Sequence, residues 1–415
     1  MKGSSIADQK SLAVSAVDQA LARIDAREHS IHAWVQVDDA GARQQALLID
    51  QTPASLPLAG LTLGVKDIID VGGMQCECGS AIFKGKRAFS DASLVARLKA
   101  LGMVVVGKTA TAEFAYLSPP ATRNPVNTAY SPGGSSSGSA AAVADGHVSA
   151  ALGTQTAGSI LRPASFCGVV GYKPTYGRLS RVGVLSASPS VDTVGWFTKD
   201  VKTTIHIRKA LTGTMSAGPA ARLGFCRTVH WPKAEAAMQL AAEQMAKKLS
   251  AAEVNSPTGI LDDVHAAIMR HEMREELATQ FLQFPGLLSA SLSAYLGGDP
   301  ISQADYLAAL DYRDSFDVEA MFAGNDILVT PGACGEAVAF GSTGDPCFNR
   351  FATLLGLPSI TLPFAVGTKG LPLGLQLIAR KDQDDMLLTT AAHIESSLIA
   401  EQGGPGSLPF AVTGE

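Results

Sequence analysis

The chain has 415 residues, 46% of them apolar and 17% charged, an ordinary globular composition that excludes a disordered or low-complexity chain. A formal net charge of −5 offers no basic footprint for nucleic acid and no polybasic membrane anchor. No run of about eighteen apolar residues is present to span a bilayer, so a cytoplasmic chain without nucleic-acid or membrane partners is expected.

In chain order, "MKGSSIADQKSLAVSAVDQALARIDAR" lacks a secretory apolar stretch and reads as an amphipathic helix ending near Arg27, with residues 31–37 as a strand. "PLAGLTLGVKDIIDVGG" (57–73) reads as apolar strand material broken by glycine and by Lys66 and Asp67. Ser90 or Asp91 is placed to cap a helix carrying Leu94, Val95, Leu98 and Leu101 at helical spacing, with Gly102 closing it and residues 103–106 forming a short buried strand. Helix followed by apolar strand recurs along the chain, which predicts an α/β body with a mixed or parallel sheet. Three Ala/Leu/Glu/Met-rich runs between 232 and 322 predict a helical region inserted in one domain spanning 1–415, before β-rich sequence returns at 357–380.

Residues 102–109 read G-M-V-V-V-G-K-T, a literal phosphate-loop match. That loop works only when it follows a strand and opens a helix. Here the first glycine ends a helix and the variable positions are β-branched strand, so nucleotide binding is set aside. The six cysteines (76, 78, 167, 226, 334 and 347) are too sparse for a disulfide framework, and no histidine lies beside Cys76 and Cys78 to complete a zinc site. Cys167 reads as a small packing residue.

"SPGGSSSGSAAAVADG" (131–146) reads locally as a glycine-rich turn whose serines 135–139 cap a buried helix. A second small-residue turn places Ser159 twenty-four residues after Ser135. A hydrolytic serine needs a proton acceptor, amide donors for the developing oxyanion, and close backbone approach. Thr156, Ala157, Gly158 and Ser159 offer consecutive N–H groups and small side chains. Of the eight histidines only His147 is near either serine, and no local pattern gives it a role. A buried lysine with its pKa brought down from about 10.4 can act as the base instead. On the residues alone, Lys66 and Lys108 fit that need about equally.

Three pieces, "GVKD" (64–67), "SPGGSSSGSAAAVA" (131–144) and "GTQTAGSILRPASFCGVVGYKPTYG" (153–177), resemble the amidase signature family. Weaker echoes include "GKTATAEFA", "DTVGWF" and "GLPLGLQLIAR", so the similarity covers most of the chain and is weakest at 232–322. The resemblance implies a central mixed β-sheet covered on both faces by helices. It implies Lys66, not Lys108, as catalytic base, Ser135 as bridging serine after a cis bond from Gly134, and Ser159 as nucleophile. Backbone amides at Thr156, Ala157, Gly158 and Ser159 form the implied oxyanion hole, with Asp67 and Asp192 in hydrogen bonds around the site. No metal or organic cofactor is implied, and the reaction is hydrolysis of an amide C–N bond through an acyl-enzyme, with activity rising from neutral to alkaline pH.

The chain departs from the common pattern at Gln155, where many members carry Asp, at Ala157-Gly158 for a glycine pair, and at Arg162, three positions after the nucleophile rather than two. "TQT-x-G-S-x-x-R-P" resembles the malonamidase branch, which implies Arg162, with Gln155, as substrate-binding residues for a small carboxylated amide. A bidentate guanidinium–carboxylate contact suits that role. Three alternatives stand beside it. One is the A-type component of a glutamyl-tRNA amidotransferase, which needs partner subunits, and another is a broader amide, ester or carbamate hydrolase. The third is a non-catalytic binding or assembly protein, against which the intact Lys66, Ser135 and Ser159 set weighs. The expected partner is a small-molecule amide, with a homodimer left open.

Overall fold

Along the central strands successive side chains alternate between two separate apolar cores, as a pleated strand buried on both faces requires. Leu63, Val65, Val105 and Leu152 join one core, while Val104, Val106 and Ala151 join another on the opposite face. The computed structural model describes residues 12–52, 55–216, 220–255 and 258–401. Its eleven strands are β1 (Trp34–Val37), β2 (Thr62–Lys66), β3 (Val104–Thr109), β4 (Ala150–Gln155), β5 (Val170–Lys173), β6 (Thr193–Thr198), β7 (Leu223–Cys226), β8 (Ala252–Val254), β9 (Ile327–Pro331), β10 (Ser359–Val366) and β11 (Pro372–Ala379). They form one sheet in the order β1-β3-β2-β4-β6-β5-β10-β11-β9-β7-β8. β2 runs parallel to β3 and β4, and β7 runs parallel to β8 and β9. The remaining pairs, such as β4 with β6 and β10 with β11, are antiparallel, so the sheet is mixed as expected.

Helices cover both faces. Residues from Leu12–Ile31, Asp39–Gln51, Ser137–Ala144 and Leu161–Cys167 fill one core. Those from Ser93–Ala100, Val201–Thr212, Ala236–Lys248 and Asp384–Glu401 fill the other. A third core packs Leu328 of β9 and Ile378 of β11 under Leu261–Glu276 and Cys347–Leu354. Among the described residues no helix is long and apolar enough to cross a membrane.

Several boundaries differ from the sequence reading. The first helix continues to Ile31, which is fully buried. Glu28 then accepts hydrogen bonds from the Ala33 and Trp34 amides, so the strand begins only at Trp34. Residues 1–11 of that predicted helix lie outside the described residues. Neither Ser90 nor Asp91 caps Ser93–Ala100, whose N-cap is Ala92. The Asp91 carboxylate is engaged by the Gly72 amide and by Lys99 instead. The phosphate-loop match is strand β3 with all six residues buried, and Gly102 (φ +100°) ends the preceding helix. The stretch between β7 and β9 is mostly helical, but β8 interrupts it and extends the sheet edge.

The serines of 135–139 do not cap the helix Ser137–Ala144, whose N-cap Ser136 makes no side-chain cap bond. Ser136 Oγ donates to the Thr154 carbonyl and Ser139 Oγ to that of Leu152, tying the helix to β4. Ser137 Oγ donates to the Gly133 carbonyl within its own turn. The glycine- and serine-rich stretch is a buried, hydrogen-bonded wedge between two core elements. It is not a linker.

Candidate active site

Lys66 is the last residue of β2 and is fully buried at the carboxyl end of the parallel β3-β2-β4 set, where open α/β sheets place their sites. Its Nζ lies 2.8 Å from Ser135 Oγ and 2.8 Å from Thr154 Oγ1. Burial disfavours the ammonium and brings the Lys66 pKa down from 10.5 to about 7, against a smaller opposing pull from the Asp192 carboxylate. The Gly134–Ser135 peptide bond is cis, as the resemblance implied.

Lys108 has a different setting. Its Nζ sits 2.9 Å from Asp67 Oδ1 and donates to the Gln75 carbonyl, with both charged groups wholly buried. Geometry therefore separates two lysines that local sequence left equal. His147 contacts neither serine: it accepts from Trp34 Nε1 and faces Asp145. Cys167 is buried with its thiol against the Pro132 carbonyl, and burial pushes its pKa up.

The turn at residues 156–159 follows β4, and its carbonyls are anchored by groups distant in sequence. His265 Nε2 donates to the Thr156 carbonyl at 2.8 Å, and Thr353 Oγ1 donates to that of Ala157 at 2.8 Å. The Gly158 carbonyl accepts from the Arg162 amide at 3.0 Å. In a trans peptide the N–H points opposite to the C=O. The three anchored carbonyls therefore turn the N–H groups of Ala157, Gly158 and Ser159 the other way, and among the described residues these amides have no acceptor. Unpaired amides beside a serine hydroxyl are the donor set an oxyanion needs. Gly158 is required here, because a Cβ would stand 2.5 Å from Asn349 Oδ1 and 2.8 Å from Pro346 Cβ.

Ser159 is 8% exposed and lines a cavity of about 480 Å³ together with Arg162, Asp262, His265, Asp345 and Arg350. No hydrogen bond joins its hydroxyl to Ser135 among the described residues. Catalytic hydrogen bonds of this kind commonly tighten only when substrate is bound. A second cavity of about 370 Å³, lined by Thr154, Arg181 and Asp192, shares Thr156 and Ala115 with the first. Asp192 orders this side by accepting from Thr156 Oγ1 at 2.6 Å and from the amides of Ala187 and Ser188.

Two expected substrate contacts change. Gln155 is fully buried with its carboxamide spent: Oε1 accepts from the Ile160 and Leu161 amides and Nε2 donates to Thr353. It satisfies otherwise unpaired amides at the start of the helix Leu161–Cys167, so it positions the turn and does not face the cavity. Arg162 does line the cavity, but Nε donates to the Thr343 carbonyl at 2.5 Å and Nη2 to that of Gly134 at 2.7 Å. Nη1 alone lacks a partner, so part of the guanidinium is committed to the protein's own carbonyls. A second guanidinium missed in the sequence, Arg350, reaches the same cavity and is loosely paired with Asp345 at 3.4 Å and Asp262 at 3.7 Å.

Comparison with known proteins matches residues 15–256 to the Amidase family model. The chain is 32% identical to the A-type component of the glutamyl-tRNA(Gln) amidotransferase of Synechococcus sp. (strain CC9605), over 92% of each chain. It is 33% identical to the same component from Roseiflexus castenholzii, over 89% of each. Among solved structures, it superposes at a TM-score of 0.87 and 29% identity on a chain from a vestigial protein complex tied to the origins of an s-triazine catabolic enzyme, covering 94% and 96% of the two chains. The peptide amidase of Stenotrophomonas maltophilia follows at 0.79 and 27%, with 93% of each chain covered. The chain thus belongs to the amidase signature family, serine-type hydrolases of amide C–N bonds.

Proposed function

We propose that the chain cleaves the amide of a small, carboxylate-bearing substrate through Ser159, Ser135 and Lys66. The observation that carries this reading is the 2.8 Å contact between Ser135 and a buried lysine with a pKa near 7, in a site whose other serine is flanked by unpaired amides. Neutral Lys66 takes the Ser135 proton while Ser135 takes that of Ser159, whose oxygen attacks the carbonyl carbon. The amides of Ala157, Gly158 and Ser159 receive the oxyanion. Return of the proton through Ser135 expels ammonia or an amine, and water then hydrolyses the acyl-Ser159 ester by the same relay. No step calls for a metal or organic cofactor.

For the carboxylate, Arg162 Nη1 supplies one buried donor and Arg350 a second cation across the same cavity. This supports a malonamate-like substrate held by two single contacts rather than by one bidentate pair. The identities of the relatives favour a second reading, the A-type component of a glutamyl-tRNA amidotransferase. Such a component would draw on an amide donor of the same chemical class and hand the ammonia to partner subunits.

Ammonia release by the purified chain, offered malonamate, glutamine and uncharged propionamide, with Ser159→Ala as control, tests both. Preference for malonamate over propionamide, absent in the control, supports the carboxylate reading. Turnover of glutamine that rises on adding candidate partner subunits favours the amidotransferase reading, and equal rates on all three amides remove the carboxylate claim.

A further inference from the structure

The sequence draws the eye to Cys76 and Cys78, yet these thiols are buried and the Cys76 thiol points to the Asp67 carbonyl. The fold assembles a different pair. Cys334, in the loop after β9, and Cys347, the first residue of the helix Cys347–Leu354, bring their sulfurs to 3.4 Å across thirteen residues of chain. Asp345 completes the group, and the three donor atoms all lie within 4.8 Å of one another. Its Oδ1 accepts from the Cys347 amide at 3.0 Å, which holds the carboxylate beside the thiols. The group is reachable, since Cys334 is only partly buried and the Asp345 side chain is 37% exposed.

We propose that Cys334, Asp345 and Cys347 form a binding site for one borderline-soft divalent cation such as Zn2+, and that filling it slows the neighbouring serine hydrolysis. Two Zn–S bonds of about 2.3 Å at a tetrahedral angle separate their sulfurs by ~3.8 Å, and the observed spacing is close to that. A carboxylate oxygen is a third donor of the right kind, and water takes the fourth position. Each thiol loses its proton as its sulfur–metal bond forms, so binding one M2+ releases two protons. The cation replaces Lys233, whose Nζ now sits 3.2 Å from Asp345 on a side chain 52% exposed and free to swing away.

The link to the active site is Asp345 itself. It and Pro346 line the cavity that holds Ser159, and Asp345 is a partner of Arg350. Drawing its carboxylate onto a metal leaves Arg350 with the more distant Asp262 and changes the charge met by a substrate carboxylate.

The test is a calorimetric titration of the chelator-treated, phosphine-reduced full chain with ZnCl2, in two buffers of different ionisation enthalpy. The expected result is one equivalent bound with release of two protons, and at least tenfold weaker binding in Cys334→Ser and in Cys347→Ala. Hydrolysis should fall with the same half-saturation and return on adding chelator. Cys347 is buried, so if its variant misfolds by circular dichroism, the part-exposed Cys334→Ser decides. Stoichiometric binding that survives Cys334→Ser, or no binding at all, overturns the site; binding without any loss of turnover overturns the inhibitory link. The binding arm is independent of which amide is hydrolysed.

Discussion

Lowering the pH from 8 to 6 should cost the enzyme about tenfold in kcat/KM. The proposed relay needs Lys66 neutral, and burial brings its pKa to about 7. The neutral fraction is then about 90% at pH 8, half at pH 7 and about 10% at pH 6; at the ordinary 10.5 it would be about 0.03% at pH 7. The drop from 10.5 to about 7 corresponds to a net of about 5 kcal/mol against the ammonium, desolvation outweighing the pull of Asp192. The sign is that of a group active as a base: activity falls as pH drops through its pKa and levels off above it. Asp192 favours the ammonium, so Asp192→Asn should move the limb to lower pH. That shift also separates Lys66 from Lys173, a second buried lysine brought to about 7, whose Nζ donates to the Pro174 carbonyl. Steady-state initial rates of ammonia release between pH 5.5 and 9.5 provide the assay. A flat profile, a limb near 10, or a limb that Asp192→Asn leaves in place would show that Lys66 is not the base.

Ser135→Ala should lower kcat by about 10²–10⁴ with an unchanged thermal midpoint, the range for loss of a proton-transfer group; single-turnover kinetics and a melting curve check both. Lys108→Met should instead destabilise the fold by about 3–5 kcal/mol, because it leaves the Asp67 carboxylate buried and unpaired, whereas Lys66→Met should abolish turnover in a folded chain. Denaturant unfolding beside kcat measurement separates the two lysines. Arg350→Gln should raise KM for malonamate at least several-fold while leaving propionamide turnover unchanged, and equal effects on both substrates would count against a carboxylate contact.

Much of the candidate site could be proposed from sequence because its parts are short, chemically distinctive stretches. Lys66, Ser135 and Ser159 stand in three such motifs, and the mixed sheet announced itself through recurring helix and apolar strand. Local pattern could not choose between Lys66 and Lys108, because the choice depends on which lysine end meets Asp67 and which meets Ser135. The anchors of the turn at residues 156–159 were invisible for the same reason. His265 and Thr353 reach Thr156 and Ala157 across 109 and 196 residues, and nothing in their own neighbourhoods signals it. Gln155 misled because a polar side chain beside a nucleophile suits a ligand and a helix start equally well. Arg162 was read as a substrate contact; it lines the cavity, but the two carbonyls that occupy part of its guanidinium come from Thr343 and Gly134 and appear only in three dimensions.

The most direct test of the central claim is to trap the acyl-enzyme. The wild-type chain is quenched in acid during turnover of an activated ester of the preferred acid, and intact mass and peptide mapping locate the adduct. One acyl group is expected on Ser159, absent in Ser159→Ala and accumulating more slowly in Ser135→Ala. An acyl group on Ser135, or steady turnover by Ser159→Ala, would contradict it.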